Sequence, residues 1–136
     1  MKIAVVAANG KEGQLVVKEA VKRGHDVTAV VRGENKSEAQ HAIIKDLFDL
    51  TAADLAGFDV VVDAFGVWAP EDQPQHSTSL KTLCDALSGT DTRLIVCVLS
   101  SAGVPFYRGW LSGLPVNCLP GYRRLVSSGF GCFVIA

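Results

Sequence analysis

The chain has 136 residues, of which 49% are hydrophobic and 20% are charged, values typical of a single globular domain with its own core. Its formal net charge of −1 argues against nucleic acid or an anionic membrane as a partner, because such partners select basic proteins. No apolar run approaches the roughly 20 residues that cross a bilayer. We therefore expect a cytoplasmic protein that acts on a small molecule.

The first 32 residues follow the order strand, glycine turn, helix and strand. We predict a strand over Lys2–Ala7, a helix from Lys11 to a stop at Gly24, and a strand over Val27–Val31. In this arrangement the turn brings the backbone close to a bound diphosphate, and the helix points its unpaired N–H groups at the same place. The predicted diphosphate-binding residues of a dinucleotide site are Ala8, Asn9, Gly10, Lys11, Glu12 and Gly13.

This glycine pattern departs from the full fingerprint. Its spacing is A-x-x-G-x-x-G, because Ala7 stands where the first glycine is expected. A plain strand-to-helix turn of another α/β protein therefore stays open as the alternative. An ATP-type phosphate loop is not expected, since the chain has no G-x-x-x-x-G-K-[ST] sequence.

Short apolar runs and helical segments alternate from residue 33 to residue 99. The predicted elements are one helical turn within Gly33–Gln40, a strand over Ala42–Lys45, a short helix over Leu50–Ala56 capped by Thr51, a strand over Phe58–Ala64, a helix over Ser77–Leu87 and a strand over Arg93–Leu99. Right-handed crossovers between these strands predict an α/β fold with a doubly wound parallel sheet in the order 3-2-1-4-5. His76, at the start of the last helix, is predicted as a polar residue of the helix face.

The last 39 residues have a different composition. Residues 98–136 contain no Asp, Glu or Lys, and they hold six of the 13 glycines and three of the five prolines. A helix that covers a sheet needs a charged outer face, so we divide the chain into a domain over residues 1–101 and an irregular or aberrant segment over residues 102–136, with a truncated sheet. Three explanations stay open: a loop-rich substrate region, a degenerate tail, or a reading-frame change near Cys97. Phe130–Ala136 is either a last strand or an exposed apolar end.

The four cysteines point to no metal site. Their spacing contains no C-x-x-C pair and no neighbouring histidine cluster, so we expect reduced, mostly buried thiols and no bound metal. They are Cys84, Cys97, Cys118 and Cys132.

Arg32 indicates which dinucleotide the site prefers. It lies 19 positions after Gly13, at the carboxyl end of the second strand. An NAD site favours a carboxylate there for the ribose 2′-hydroxyl, whereas a guanidinium suits the 2′-phosphate of NADP. We therefore predict NADP as the cofactor, with NAD as the second choice and a solvated arginine as the alternative. Lys36 would share the phosphate if its loop folds back.

The glycine turn, the two strands around it, and the later segments IIKDLFDL and VVVDAFG resemble the atypical short-chain dehydrogenase/reductase family of NAD(P)H-binding proteins and NADH-flavin reductases. Its turn G-A-T-G-x-x-G is matched by residues 7–13, and the match covers about the first 97 residues, in a Rossmann-like fold. The resemblance implies that Asp46 and Leu47, in IIKDLFDL, contact the adenine. It also implies that Ala64, Phe65 and Gly66, in VVVDAFG, lie along the ribose and nicotinamide.

The resemblance is weaker beyond the fifth strand. The S-S-x-G stretch that begins at Ser100 resembles that of extended short-chain reductases, and it makes Ser101 a weak catalytic candidate beside the alternative of a polar turn. The Tyr-x-x-x-Lys pair is missing, since Leu111 follows Tyr107 by four positions and Val126 follows Tyr122. Hydride transfer to a flavin needs alignment more than a side-chain acid, so this loss does not exclude reduction.

Together these patterns predict an NADPH-dependent reductase of a flavin, such as FMN, or of a similar conjugated small molecule. Two alternatives stay open: a non-catalytic NADP-binding redox sensor that contacts another protein, and an inactive truncated form of the reductase. A homodimer is left open as well.

Overall fold

The computed structural model describes residues 1–67, 69–72, 74–99, 123–127 and 130–135. The strands are β1 (Lys2–Val6), β2 (Asp26–Val31), β3 (His41–Ile44), β4 (Val60–Asp63), β5 (Arg93–Leu99), β6 (Arg123–Ser127) and β7 (Phe130–Ile135). The helices are α1 (Lys11–Lys22) and α2 (Pro74–Leu87), with short 3-10 helices at Leu47–Asp49 and Pro70–Asp72. Neither α1 nor α2 is both long enough and apolar enough to span a membrane.

The sheet has the strand order β3-β2-β1-β4-β5-β7-β6. The first five strands pair in parallel, and the central strand β1 is flanked by β2 and β4. This confirms the predicted doubly wound order 3-2-1-4-5. Because β1 starts the chain and the crossovers run outward from it in both directions, a topological switch point lies at its carboxyl end, where such folds bind ligands.

Two more strands from the C-terminal segment extend the sheet. β7 pairs antiparallel with β5 over six register positions, and β6 pairs antiparallel with β7. Of the two alternatives for Phe130–Ala136, the structure therefore has the strand. An antiparallel addition needs no covering crossover helix, which suits a segment that has no Asp, Glu or Lys for a helix face.

The core consists of two layers, one on each face of the sheet. Side chains alternate along β1: Ala4 and Val6 pack in the cluster that contains Leu83 of α2, whereas Ile3 and Val5 pack in the cluster that contains Val17 of α1. Both faces of β1 are apolar because each is covered by a helix. The two layers therefore hold the carboxyl end of β1 in a fixed place between α1 and α2.

The predicted helix over Leu50–Ala56 is wrong. The structure has the 3-10 helix Leu47–Asp49 followed by turns. The carboxylate of Asp54 accepts hydrogen bonds from the N–H and the hydroxyl of Thr51, at 2.8 and 2.7 Å, and from the ammonium of Lys45 at 2.7 Å. These bonds close a single turn, and Gly57 with a φ of 83° ends it, so no helix can propagate.

Several strand boundaries shift by one or two residues, and two larger differences concern the loop after β2 and the start of α2. The segment Gly33–Gln40 contains no helical turn, because the side chain of Asn35 accepts hydrogen bonds from the N–H and the hydroxyl of Ser37 and so forms a local turn of its own. Helix α2 begins three residues before the predicted Ser77, at Pro74. Proline is well suited to a first helical position, where its missing N–H would have no partner.

Candidate functional site

The turn between β1 and α1 leaves the N-terminus of the helix open. Gly10 is the N-cap residue, with φ −68° and ψ 163°, and it supplies no side-chain cap. Its N–H donates to the backbone oxygen of Ala7 at 2.9 Å, which turns the chain sharply after the strand. The first N–H groups of α1 are thus left without a side-chain acceptor, and together with the helix dipole they form a site suited to an anion.

Gly13 lets the first turn of α1 pack directly on the end of β1. A Cβ added at Gly13 would lie 2.4 Å from the backbone oxygen of Ala7 and 2.7 Å from the Cα of Ala8. Both contacts are to backbone atoms, which cannot move without displacing the strand. This glycine therefore has a packing role, the one that the third glycine of the dinucleotide fingerprint serves.

A cleft of about 390 Å³ opens at the carboxyl ends of β1, β2 and β4. It runs from the glycine turn past the end of β2 to the segments that follow β3 and β4. Its lining residues are Val6, Ala7, Asn9, Gly10, Val30, Val31, Arg32, Gly33, Lys45, Asp46, Leu47, Phe48, Ala64, Phe65 and Gly66. The cleft thus lies at the switch point of the sheet.

Most of the residues singled out in the sequence meet in this cleft. Those that line it are Asn9, Gly10, Arg32, Asp46, Leu47, Ala64, Phe65 and Gly66. The other predicted positions are not among its lining residues: Ala8 and Gly13 are buried, and Lys11 and Glu12 belong to the first turn of α1. Ser101 and the tyrosines Tyr107 and Tyr122 fall outside the described residues.

Several lining residues were not identified from the sequence, and most of them lie at the ends of strands. Phe48 is the aromatic residue among them. Phe48 is 39% exposed although it is a large aromatic residue. The carboxylate of Asp46 accepts a 2.9 Å hydrogen bond from the backbone N–H of Phe48. This bond holds the Phe48 backbone beside the cleft, which the residue lines. Its position directly after Asp46 and Leu47 was the available signal, because exposed aromatic rings next to polar binding residues often contact a ligand.

Comparison with known proteins identifies the family. A family model described as NAD(P)H-binding matches residues 7–112, the greater part of the chain. The chain belongs to this NAD(P)H-binding family. The match includes the glycine turn, α1, Arg32 and the segments around Asp46 and Ala64, so all lining residues of the cleft except Val6 lie within it.

Individual relatives agree with this assignment. The uncharacterized protein YwnB of Bacillus subtilis is 46% identical over 99 residues, which are 71% of this chain and 46% of YwnB. A crystal structure of a "putative NADH-flavin reductase" from Streptococcus pneumoniae has a TM-score of 0.68 and 56% identity over 71% of this chain and 46% of that one. The Lmo0794 protein of Listeria monocytogenes has a TM-score of 0.63 and 42% identity, over 71% of this chain and 58% of its own. This chain therefore spans about half the length of these relatives.

In this NAD(P)H-binding domain, the side chain of Asn9 joins two loops of the cleft. Its Nδ2 donates to the backbone oxygen of Glu34 at 2.8 Å, and its Oδ1 accepts from the backbone N–H of Lys36 at 2.8 Å. The loop after β2 therefore does fold back onto the glycine turn. Lys36 takes part through its backbone N–H and is not among the lining residues of the cleft.

Arg32 stands at the start of this loop with its charge available. It directly follows β2, is exposed, and lines the cleft. Among the described residues, no hydrogen bond or ion pair involves its guanidinium, whereas Arg23 is paired with Glu19 and Lys45 with Asp54. A solvated guanidinium at the rim of a cleft can receive a phosphate without first breaking an internal contact.

A buried carboxyl group lies below the cleft. Asp63 ends β4, is 3% exposed, and accepts a 3.0 Å hydrogen bond from the N–H of Phe65. Burial raises the pKa of Asp63, the hydrogen bond from Phe65 partly opposes this shift, and the negative charge of Glu12 adds to it, so that the pKa of Asp63 lies at about 7. Burial also raises the pKa of Glu12. Asp63 thus shapes the wall formed by Ala64–Gly66 while it carries little charge below neutral pH.

Three rings form a chain along one wall of the cleft. The rings of Phe48 and Phe65 meet edge to face with centroids 6.0 Å apart, and Phe65 meets His76 with centroids 5.9 Å apart. The Nε2 of His76 lies 3.2 Å from the backbone oxygen of Val67, and burial lowers the pKa of His76. His76 lies in α2, as predicted, and its ring also contacts the segment after β4.

Proposed function

We propose that this chain binds NADPH in the cleft and forms the nucleotide-binding part of a reductase that passes hydride to a flavin or a similar conjugated molecule. The observation that carries the proposal is the cleft itself. It brings together a helix N-terminus without a side-chain cap, a guanidinium that has no partner among the residues the structure describes, and the segment after β4 at one edge of the sheet. These are the parts that a phosphorylated dinucleotide requires.

Each part of the cleft receives a different part of the nucleotide. The backbone N–H groups of residues 11–13 receive the diphosphate, because they carry the positive end of the α1 dipole. Arg32 pairs with the 2′-phosphate through charge-assisted hydrogen bonds. Asp46 and Leu47 contact the adenine, and Phe48 adds an exposed aromatic ring next to them. Ala64–Gly66 borders the nicotinamide ribose.

The reductase part of the proposal is supported by similarity and by chemistry. The Streptococcus pneumoniae protein, to which this chain is 56% identical over 71% of its own length and 46% of that protein, carries the description of a "putative NADH-flavin reductase". A bound nicotinamide supplies the hydride, and a flavin accepts it without a side-chain acid. The contribution of this chain is to hold the nucleotide in one orientation and to support the wall after β4 through Asp63 and His76.

Steady-state oxidation of NADPH in the presence of FMN or riboflavin tests this function. We expect saturable oxidation with a lower KM for NADPH than for NADH. In Arg32→Ala the KM for NADPH should rise while kcat changes little, since Arg32 follows β2 and Ala64–Gly66 follow β4, on opposite sides of β1 in the sheet. Tight NADPH binding with no turnover on any flavin would instead support the redox-sensor alternative, and equal KM values for both nucleotides would contradict the NADPH preference.

A further inference from the structure

The side chain of Asn9 uses both of its polar atoms to fasten one loop to another. Its amide nitrogen donates to Glu34 and its amide oxygen accepts from Lys36, both at 2.8 Å. The two partners lie 25 and 27 residues away in sequence. A side-chain amide that both donates and accepts fixes the direction as well as the distance of the contact.

The clamped loop is the one that carries Arg32. It leaves β2 at Val31 and contains its own turn, in which the side chain of Asn35 accepts from the N–H and the hydroxyl of Ser37. That internal turn gives the loop a shape but does not tie it to the glycine turn. The Asn9 contacts to Glu34 and Lys36 provide that tie, two and four residues after Arg32.

The two anion sites of the cleft must keep a fixed separation. The diphosphate and the 2′-phosphate belong to one covalent ligand, so the N-terminus of α1 and the guanidinium of Arg32 can serve both at once only if their distance is held. A loop that moved freely would lose conformational entropy on binding and would weaken the contact. Asn9 lies in the turn that leads into α1 and contacts the loop that carries Arg32, and so it links the two sites directly.

We infer that Asn9 is a positioning residue for cofactor choice. Its two hydrogen bonds between the glycine turn and the loop after β2 hold Arg32 at a fixed distance from the diphosphate site. This fixed distance creates the preference for a 2′-phosphorylated dinucleotide. The inference rests on the proposed function, in which Arg32 binds the 2′-phosphate. Asn9 acts through Arg32 and needs no contact of its own with that phosphate.

A thermodynamic cycle between Asn9 and Arg32 tests the inference. Dissociation constants for NADPH, NADH and 2′,5′-ADP are measured by calorimetry on the full chain, for the wild type, Asn9→Ala, Arg32→Ala and the double variant. We expect Asn9→Ala to raise the dissociation constants of NADPH and 2′,5′-ADP about tenfold, and to change the dissociation constant of NADH less than about twofold. In the Arg32→Ala background the same substitution should have no further effect on NADPH.

Gln14→Ala is the matched control. Gln14 also hydrogen-bonds to Asn9, but through the Asn9 backbone oxygen at 3.0 Å and from within α1. Removing this bond loosens the glycine turn without touching the loop after β2. We expect Gln14→Ala to leave the ratio of NADPH to NADH affinity unchanged.

The possible failures are distinguishable. The inference is overturned if Asn9→Ala weakens the binding of NADPH and of NADH equally, or if it still weakens NADPH binding in the Arg32→Ala background, because Asn9 would then support only the turn. The proposed function stays intact in that case if Arg32→Ala selectively weakens NADPH binding. If Arg32→Ala does not change the NADPH to NADH ratio, both are overturned. Should Asn9→Ala fail to fold, Asn9→Thr takes its place, because its single hydroxyl cannot serve Glu34 and Lys36 together, and the same loss of preference is expected.

Discussion

A Cβ atom added to Gly13 would lie 2.4 Å from the backbone oxygen of Ala7. The first turn of α1 therefore rests directly on the end of β1, with no space for a side chain between them. This contact directs the N-terminus of the helix toward the cleft, because the short turn that joins β1 and α1 leaves the helix no room to shift. The geometry of the proposed diphosphate site thus depends on the size of one residue.

Substitution Gly13→Ala should destabilise the protein by at least about 2 kcal/mol, since the new methyl group meets rigid backbone rather than a flexible side chain. Urea unfolding measures the effect. Gly10→Ala is the control, because its Cβ would lie 3.2 Å from the same oxygen and its φ of −68° suits any residue. Equal losses for the two variants would contradict the close packing described for Gly13.

Substitution Ala7→Gly should stabilise the fold. Ala7 has a φ of 57°, the left-handed region, and is the one described non-glycine residue with a positive φ. Relief of this strain outweighs the extra freedom of glycine in the unfolded chain, so we expect a gain of roughly 1 kcal/mol. The midpoint of urea unfolding should rise at an unchanged slope, and a fall of the midpoint would be incompatible with a strained Ala7.

Substitution Arg32→Ala should weaken NADPH binding by about 1.5 to 3 kcal/mol, the range for hydrogen bonds to charged groups, while NADH binding hardly changes. Calorimetric titration with each nucleotide measures both. Arg23→Ala is the matched control, since Arg23 is an exposed arginine that pairs with Glu19 at the end of α1, away from the cleft. A loss shared equally by NADPH and NADH would reject the role of Arg32 at the 2′-phosphate.

Asp63 should make folding stability fall as the pH rises from about 4 to about 7. Its folded pKa of about 7 lies above the value of 3.8 for an unperturbed aspartate, so in this window the folded state holds a proton that the unfolded state has lost. Asp63→Asn keeps an acceptor for the Phe65 N–H and removes the titration. We therefore expect the difference in unfolding free energy between variant and wild type to grow in favour of the variant over this window, by up to about 4 kcal/mol.

Urea unfolding at several pH values between 4 and 8 measures this difference. Comparison of the two proteins cancels the groups that do not interact with Asp63: Asp54 and Glu19, whose pKa values are lowered, and His76, whose pKa is lowered by burial. Glu12 does not cancel in full, because its negative charge acts on Asp63 and the two groups titrate together. Parallel pH profiles for the two proteins would show that Asp63 does not carry a raised pKa.

The sequence predicts those features that depend on patterns of neighbouring residues. The apolar runs of β1 and β4 and the stripe of α1 predict the parallel sheet, because burial on both faces leaves a continuous hydrophobic signature. The spacing of Gly10 and Gly13 predicts the turn. Arg32 is placed correctly at the rim of the cleft because the end of β2 is well defined by its buried valines.

The features that the sequence does not predict depend on contacts between distant residues. The turn over residues 50–56 has helical composition, but the Lys45 ammonium and the Thr51 hydroxyl draw the Asp54 carboxylate into a closed turn. The clamp of Asn9 on Lys36 spans 27 residues, and neither residue shows it in its local sequence. His76 and Phe65 likewise meet only after α2 packs on the sheet.

The central claim is that the N-terminus of α1 and Arg32 together bind a phosphorylated nicotinamide dinucleotide. Calorimetric titration of the full chain with NADPH, after circular dichroism has shown a cooperative thermal transition, tests it most directly. We expect saturable heat at one site per chain and weaker binding of NADH. A folded protein that gives no heat with either nucleotide would contradict it.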